Sequence, residues 1–308
     1  MKPKISVITS LYRCDEYLNR YFEAVEQIVN KEECEFILIH NSPLDNEKAT
    51  IKRWIEGKDI FKYYEVQREP LYASWNRGIK LASGIYIANW NVDDLRTPTS
   101  LLEQAKALDS TPKAAVAYGD TITIKELNIR EGKRNDELEY TKKNASKFKH
   151  SFYISCFPMW RKEIHEHIGY YDEQFSITGD FEFQVRIAHA YEFIKVNSVL
   201  GYFYGGSGGS RLSQQIKAHN TEDASIYIRY GCYHKINLCC LKSALKKDIF
   251  SIKQDDKFIS INKFIPSFNK YKITKLLYLL PYNLIFRFPI DLLRYIKIYI
   301  LKIPTRTN

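Results

Sequence analysis

The sequence contains neither the cysteine patterns nor the nucleic-acid motifs that define several large classes of protein. Its six cysteines form no CxxC pair and no regular framework, so reduced thiols are expected rather than disulfides or a zinc site. The opening segment MKPKISVITSLY has no long apolar core and no small-residue cleavage site, so no secretion signal is expected. No helix-turn-helix, zinc-finger or RNP pattern occurs, which argues against a nucleic-acid partner. These absences favour a globular, cytoplasmic protein.

Positive charge is in excess only near the end of the chain. The net charge is +10, but the 14 Lys and Arg and the 4 Asp after residue 240 account for all of it. Residues 1–240 are balanced, with 32 charged residues of each sign. We therefore expect a neutral body, and any attraction to an anionic surface must come from the tail.

The tail also lacks an uninterrupted apolar run of the ~20 residues that a membrane-spanning helix needs. Its apolar stretch, 273–303, is broken by two prolines, an arginine and an aspartate. Apolar and aromatic residues with Lys and Arg between them are typical of amphipathic helices that lie in a membrane interface. We therefore predict peripheral attachment to the inner face of the cell membrane through residues 263–303. The alternative is that these helices pack on the rest of the protein or on a second copy, as a homodimer.

The first hundred residues contain an alternation of strand and helix patterns. Ile5–Leu11 and Glu35–Ile39 are apolar runs of the kind that form buried strands, and Glu16–Val29 has apolar residues at helical spacing. The helical stretch Tyr72–Ala82 leads into a further strand, Ile85–Trp90. Strands that alternate with helices predict an α/β fold with a parallel sheet and right-handed crossovers.

Beyond residue 100 the pattern is less regular. We predict a helix, a strand, a long and partly mobile excursion and a second strand, in that order, over Ser100–Leu108, Ala114–Tyr118, Lys125–His150 and Phe152–Trp160. A helix with an acidic first turn then begins at Asp180. Taken by itself, Asp180 is better explained as an ordinary N-cap.

Three oxygen-bearing side chains follow the strand Ile85–Trp90. Asn91, Asp93 and Asp94 stand where the strand ends, and ligands bind at the carboxyl ends of strands in open α/β sheets. Carboxylate and amide oxygens suit Mg2+ or Mn2+ and give zinc little reason to bind. The alternative is a turn in which Asn and Asp make local hydrogen bonds.

Glycine is concentrated in one segment, with five in the eleven residues Gly201–Arg211. Such a segment lets backbone amides approach an anion, and Ser210 and Arg211 add side-chain donors. It lacks both the GxGxxG and the Walker spacing, so an ordinary surface loop is the alternative.

Together these segments resemble glycosyltransferase family 2, the inverting nucleotide-sugar transferases with a GT-A fold. The resemblance spans roughly residues 4–212 and rests on the segments ISVITSLY, EFILI, NRGIKLASGIYIANWNVDD and IGYYDEQFSITGDFEFQVRIA. The third is similar to the family's Asn-x-Gly followed by a strand that closes in Asp-x-Asp, and the fourth to the block that carries its catalytic base. The resemblance implies a Rossmann-like, mostly parallel sheet flanked by helices.

The expected domain organisation follows from that resemblance and from the tail. Residues 1–236 are expected to form the GT-A domain, with a nucleotide-sugar half over 1–120 and an acceptor half over 121–236. Residues 237–308 are expected to form a C-terminal extension of amphipathic helices, rich in basic and aromatic residues.

The resemblance also implies a role for individual residues. Asp180 is the implied base for the acceptor hydroxyl, and Asp93 with Asp94 the implied ligands of a divalent cation, Mn2+ or Mg2+. The implied donor-binding residues are Thr9, Leu11, His40, Asn41, Asn76, Arg77, Asn91, Val92 and Arg211. The implied acceptor-binding residues are Asp120, Trp160 and Arg161. Simpler roles stay open, with Arg77 on a helix surface, Trp160 in the core and Asp120 capping a turn.

The sequence departs from the family pattern at two places. His40 and Asn41 stand where the second strand usually ends in two acids, one of which binds the base, and Asn91 replaces the first acid of Asp-x-Asp. One carboxylate fewer should weaken the binding of a hard cation. The predicted function is transfer of a sugar from a nucleotide sugar to a hydroxyl of a glycan or lipid-linked glycan, in cell-surface polysaccharide biosynthesis. The alternative is a non-catalytic member that binds a nucleotide or glycan.

Overall fold

The computed structural model describes residues 2–206, 215–232, 235–236, 238–266 and 268. The strands in these ranges are β1 Ile5–Leu11, β2 Cys34–Asn41, β3 Phe61–Val66, β4 Tyr86–Asn89, β5 Leu95–Arg96, β6 Ala114–Ile124, β7 Lys133–Asn135, β8 Met159–Arg161, β9 Glu192–Tyr204, β10 Ser251–Gln254 and β11 Lys257–Ser260. The α-helices are α1 Asp15–Glu26, α2 Asp45–Ile55, α3 Leu71–Leu81, α4 Ser100–Ser110, α5 His165–Ile168, α6 Gly179–Ala188, α7 Ile216–Tyr230 and α8 Leu241–Ala244.

Strands β1 to β9 form one sheet, in the order β3-β2-β1-β4-β8-β6-β9-β5 with β7 beside β6. The first half, β3-β2-β1-β4, is entirely parallel. Strand β8 is antiparallel to β4 on one side and to β6 on the other, while β6 and β9 are parallel. The predicted α/β class and mostly parallel sheet are therefore confirmed.

Two apolar layers cover the two faces of the sheet, because successive side chains of a strand point to opposite faces. In β1, Ile5 and Val7 face the layer that contains apolar residues of α1, α2 and α4, whereas Ile8 faces the layer that contains those of α3, α6 and α7. The crossover helices are thus divided between the faces, as parallel strands require. This arrangement leaves the carboxyl ends of β1, β2 and β4 uncovered at one edge.

The structure differs from the sequence prediction between residues 114 and 160. Strand β6 continues to Ile124, six residues beyond the predicted end, with register shifts against β9 at Gly119, Asp120 and Thr121. The predicted strand over 152–160 is reduced to β8. The amides of Tyr153 and Ile154 bind the side chain of Gln184 on α6 instead of a neighbouring strand, which explains the shorter β8.

The described part of the predicted C-terminal extension packs on the rest of the protein, which we call the body. The antiparallel hairpin β10–β11 lies against it, with the Asp255 carboxylate 2.5 Å from the Lys80 ammonium. The Arg229 guanidinium on α7 donates to the carbonyls of Asp248 and Ser251, at 2.9 and 3.0 Å. The predicted amphipathic helices after residue 268 lie outside the described residues. In the part that is described, no helix has the length and apolarity needed to cross a membrane.

Candidate active site

A cleft opens at the carboxyl ends of β1, β2 and β4, where an open α/β sheet binds its ligands. It encloses about 500 Å³ among the described residues. Side chains reach it from the ends of β1, β2 and β9, from the turn after β4, from α3 and from the start of α6. They include Ser10, Tyr12, Arg13, Asn41, Arg68, Leu71, Tyr72, Trp75, Asn91, Val92, Asp93, Asp94, Ser176, Ile177, Asp180 and Tyr204.

Asp94 holds the turn after β4 in place. One of its carboxylate oxygens accepts from the Asn91 amide group at 3.2 Å and the other from the backbone N–H of Tyr204 at 2.9 Å. Its carbonyl accepts from the indole of Trp90 at 3.0 Å. Burial, with the neighbouring charge of Asp93 second, raises the pKa of Asp94 well above its usual range. Asp94 therefore ties the turn to the end of β9, and its role as a metal ligand stays a prediction.

Asp93 lines the cleft, and its carbonyl accepts from the Arg20 guanidinium at 3.1 Å. No group of three or more His, Cys, Asp or Glu side chains capable of holding a metal ion occurs in the described ranges. A site with one carboxylate still fits Mg2+ or Mn2+ where a diphosphate supplies other oxygens, since Mg2+ is commonly held by one or two carboxylates and substrate phosphates. Asp93 and the amide group of Asn91 together provide oxygen ligands that fit such a cation.

Asp180 lies in the first turn of α6, with Gly179 as the first helical residue and Thr178 in the N-cap position. The N-cap explanation of Asp180 is therefore excluded. One of its carboxylate oxygens accepts from the backbone N–H of Phe181 at 2.8 Å. Burial raises the pKa of Asp180 to about 6, against the lowering effect of nearby backbone N–H groups and of His219. The cleft thus contains a carboxylate that accepts a proton near neutral pH.

Of the predicted donor residues, Asn41, Asn91 and Val92 reach the cleft together with the two aspartates of the turn. Thr9 and Leu11 do not, because both face the α1 side of the sheet. The Thr9 hydroxyl is hydrogen-bonded to the hydroxyl of Tyr21 at 2.8 Å, and Leu11 is 0% exposed. Since side chains alternate along a strand, their neighbours Ser10 and Tyr12 take the cleft positions.

His40 is also turned away from the cleft, and this corrects its prediction as a donor-binding residue. Its ring nitrogens contact the Glu47 carboxylate at 3.0 Å and the Tyr63 hydroxyl at 2.7 Å, and the side chain is fully buried. Asn41 reaches the cleft, but its amide group donates to the Glu69 carbonyl at 2.6 Å and its oxygen accepts from the Glu69 N–H at 2.9 Å. Asn41 therefore shapes the loop before α3.

Asn76 and Arg77 lie on α3 but outside the cleft. The Asn76 amide group exchanges hydrogen bonds with the backbone of Tyr171, at 3.0 and 2.9 Å, which joins α3 to the segment before α6. The Arg77 guanidinium forms two hydrogen bonds with the Glu69 carboxylate, at 3.1 and 2.8 Å. Asn76 thus contributes to packing and Arg77 to an ion pair at the surface. The remaining predicted donor residue, Arg211, lies outside the described residues.

The three predicted acceptor residues are not brought to the cleft. Antiparallel pairing sets Arg161 of β8 opposite Tyr86, at the amino end of β4 and so at the far edge of the sheet. Trp160 is 1% exposed and its indole donates to His165 at 2.9 Å. Asp120 is buried between the charged groups of Lys195 and Arg134, each at 2.8 Å. The burial of Trp160 agrees with the alternative explanation, that it is a residue of the core.

Several aromatic and basic residues of the cleft belong to no sequence motif, so they were not predicted from the sequence. The Arg68 guanidinium lies 4.0 Å from the ring centroid of Tyr12, which is 41% exposed. Tyr72 and Trp75 from α3 form the wall beside Asp180, with ring centroids 5.3 Å apart. The available signal was their position, because Tyr12 directly follows β1 and Tyr72 lies in the first turn of α3, the helix that reaches the cleft.

The family model of Glycosyl transferase family 2 matches residues 6–169 of the chain. An uncharacterized glycosyltransferase of Methanocaldococcus jannaschii is 26% identical over 199 residues, which cover 62% of this chain and 67% of that protein. The fold is similar to that of S. aureus TarS 1–349 in complex with UDP-GlcNAc, with a TM-score of 0.58 and 16% identity over 89% of this chain and 83% of that one.

A mannosyltransferase from Pyrobaculum calidifontis, in complex with GDP-Man and Mn2+, is similar with a TM-score of 0.50 and 10% identity, over 90% of this chain and 74% of that one. These two structures support the GT-A fold. The matched family segment covers more than half of the chain and includes β1, β2, β4 and the turn with Asp93. The chain is a member of glycosyltransferase family 2 with the GT-A fold.

Proposed function

We propose that this protein is an inverting glycosyltransferase that moves a sugar from a nucleotide-sugar donor to a hydroxyl group of a glycan or lipid-linked glycan. The observation that carries the proposal is the presence of Asp93 and Asp180 in one cleft, at the carboxyl ends of the parallel strands. Asp93 is suited to bind a cation together with a diphosphate, and Asp180 is suited to accept a proton. The two carboxylates thus act on the two sides of one displacement, Asp93 at the departing diphosphate and Asp180 at the attacking hydroxyl.

Asp180 is the proposed general base. As the acceptor oxygen bonds to the anomeric carbon of the donor, the bond from that carbon to the diphosphate oxygen breaks, and the hydroxyl proton passes to Asp180. Because the pKa of Asp180 is raised to about 6, its carboxylate is a stronger base than an exposed aspartate and is still ionised at neutral pH. The proposed inversion follows from a single displacement.

Asp93 is the proposed side chain that holds the divalent cation, Mn2+ or Mg2+. When bound there, the cation supplies positive charge to the departing diphosphate. The donor complexes of the similar structures, UDP-GlcNAc in one and GDP-Man with Mn2+ in the other, support a nucleotide sugar as the class of donor. They differ in the nucleotide base, so they select none for this chain.

The exposed Tyr12 ring with the Arg68 guanidinium against it is the proposed support for the nucleotide. An aromatic ring and a guanidinium both stack on the faces of bases, and stacking of this kind tolerates different bases. Asn41 stands at one of the two positions where the family usually has acids, one of which binds the base. Its amide group is hydrogen-bonded to the Glu69 backbone. Recognition of the base is therefore proposed to rest on Tyr12 and Arg68 more than on Asn41.

A non-catalytic nucleotide-binding or glycan-binding protein is the second candidate, favoured by the replacement of family acids at His40, Asn41 and Asn91. A panel of UDP-sugars and GDP-sugars, incubated with Mn2+ or Mg2+, separates the two. An enzyme releases nucleoside diphosphate from one donor, and the release stops when the metal is chelated. If donors bind but no nucleoside diphosphate is released from any of them, with glycan acceptors present, the result would favour the binding protein.

We also propose that residues 263–303 attach the protein to anionic lipid, which would bring it to a lipid-linked acceptor and a role in cell-surface polysaccharide biosynthesis. The support is the location of the whole charge surplus after residue 240. Because Lys247 and the β10–β11 hairpin pack on the body, the truncation that tests this proposal should end after residue 268. Sedimentation of the full chain in solution tests the proposed homodimer.

A further inference from the structure

One buried carboxylate of α7 binds three consecutive backbone amides. The side chain of Glu222 accepts from the N–H groups of Ser176, Ile177 and Thr178, at 2.8, 2.8 and 2.9 Å. Glu222 is 5% exposed. Three N–H groups directed at one ionised carboxylate form a strong, charge-assisted arrangement that fixes the conformation of the loop.

The loop that Glu222 holds leads directly into the first turn of α6. The N-cap residue Thr178 makes no side-chain hydrogen bond to the helix, and its hydroxyl oxygen is among the buried polar atoms without a partner in the described part of the chain. Glu222, from a different helix, instead binds the N–H of the N-cap residue and those of the two residues before it, so it fixes the backbone that leads into α6. The position of Asp180 therefore depends on a residue more than 40 positions later in the sequence.

The same loop also forms a wall of the cleft. Ser176 and Ile177 line the cleft beside Asp180. The Ile177 carbonyl accepts from the Tyr72 hydroxyl at 2.8 Å, so the loop is held on one side by α7 and on the other by α3. A loop that is fixed at both sides holds the start of α6, and with it Asp180, in place.

The carboxylate of Glu222 is in turn connected to the C-terminal segment. The Lys247 ammonium lies 3.2 Å from it and also donates to the carbonyl of Gln174. Lys247 lies between α8 and β10, in a part of the chain beyond the family segment at 6–169. Helix α6 and these residues that support it therefore all lie beyond the matched family segment.

We propose that Glu222 is a positioning residue that sets the location and the burial of the Asp180 carboxylate through the Ser176–Thr178 loop. The proposal rests on the proposed function only for the role of Asp180 as the base. The contact between α7 and the loop is a property of the fold, and its effect on Asp180 is measurable without turnover.

The test compares Glu222→Gln and Glu222→Asp with the wild type, and Glu23→Gln on the exposed face of α1 is the isosteric control. The full chain is labelled with 13C at aspartate carboxyl groups, and the Asp180 signal is assigned from its loss in Asp180→Asn. In the wild type it should titrate with a pKa of about 6. In both Glu222 variants the loop loosens and water reaches the carboxylate, so the Asp180 pKa should fall toward its ordinary value.

The Glu222→Asp variant keeps the negative charge and shortens the side chain by one methylene group. A lower Asp180 pKa in this variant therefore reports the geometry of the loop, not the removal of a neighbouring charge. In turnover assays kcat should fall about tenfold or more in both variants, while the affinity for UDP or GDP changes less than about twofold, because only the base is misplaced.

An Asp180 titration that is unchanged in both folded Glu222 variants would overturn the inference, as would a kcat within twofold of wild type. Unfolding of both variants would also overturn it, because Glu222 would then support the whole chain and not Asp180 in particular. If the wild type transfers no sugar but the Asp180 titration shifts as described, the positioning role stands and the proposed function fails. The Glu23→Gln control should titrate and react like the wild type.

Discussion

The Tyr72 hydroxyl lies 3.4 Å from a carboxylate oxygen of Asp180 but donates its proton elsewhere, to the Ile177 carbonyl at 2.8 Å. A hydroxyl has one proton to donate. Asp180 therefore faces the oxygen of Tyr72 without receiving a full hydrogen bond from it, in a site that burial keeps poorly solvated. This relationship accounts for a carboxylate whose pKa is raised although a hydroxyl lies beside it.

The first prediction concerns pH. If Asp180 is the base, only its ionised form is active, so kcat should rise with pH through about 6 and level off above 7. The measurement is kcat at saturating donor and acceptor from pH 4.5 to 8. An acidic limb near pH 4, the region of an ordinary aspartate, would contradict the raised pKa.

The second prediction concerns stability. Because the folded-state pKa of Asp180 is above its unfolded value of 3.8, the folded state binds the proton more tightly, and stability from this group is lost as pH rises from about 4 to about 6. At pH 8, Asp180→Asn should therefore raise the free energy of unfolding, by up to about 3 kcal/mol. Chemical denaturation at pH 8 and pH 4 measures this, and the gain should be absent at pH 4.

The third prediction concerns the close approach of Gly179 to Tyr72. A Cβ atom at residue 179 would lie 2.6 to 2.8 Å from three atoms of the Tyr72 ring, which is itself stacked on Tyr171 at 5.4 Å. Gly179→Ala should therefore destabilise the protein by about 1–3 kcal/mol and lower transfer by displacing Asp180. The matched test is Gly179→Ala in a Tyr72→Leu background, where the added methyl group should cost less. Equal costs in both backgrounds would show that the ring is not responsible.

The fourth prediction separates the two aspartates of the turn. Asp93→Ala should abolish the part of donor binding that depends on Mn2+ or Mg2+, because Asp93 is the proposed ligand. Asp94→Asn should retain metal-dependent binding, since an amide oxygen still accepts from the Tyr204 N–H, and its main effect should be on stability. Calorimetric titration of donor with and without metal measures both. The reverse order of effects would move the metal ligand to Asp94.

The fifth prediction concerns the tail. The full chain should sediment with acidic-lipid vesicles at low salt and be released as salt rises, whereas a chain that ends after residue 268 should stay in the supernatant. Donor binding should be the same in both, because the truncation removes none of the described contacts. A full chain that stays in the supernatant with acidic vesicles would favour packing or dimerisation as the role of the tail.

The location of the cleft could be predicted from the sequence because it depends on local patterns. Strand endings at Leu11, Asn41 and Asn89 are visible as changes in periodicity, and parallel strands bring those endings to one edge. The acidic first turn of α6 is visible for the same reason. Periodicity locates an element and its buried face, which was sufficient to put Asp93 at the end of a strand, whereas the role expected of Asp180 came from the resemblance to the family.

The residues that sequence reasoning misplaced depend on partners in distant elements. His40 is turned inward by Glu47, and Trp160 is buried because β8 lies between β4 and β6 and the indole packs on Phe183 of α6. Neither the direction of a short strand nor the choice of an ion-pair partner is encoded in the local pattern. Glu222 is a stronger example, since nothing around it in the sequence indicates that its carboxylate binds the loop before Asp180.

Transfer by Asp180→Asn is the most direct test of the proposed function. The measurement is the rate of sugar transfer at pH 7.5, with donor affinity determined separately in the presence of metal. The account predicts a fall in transfer of about a hundredfold or more, with donor affinity within about twofold of wild type, because the amide oxygen still accepts from the Phe181 N–H but no longer takes a proton. Near-normal transfer by Asp180→Asn would contradict the account and require a base elsewhere in the cleft.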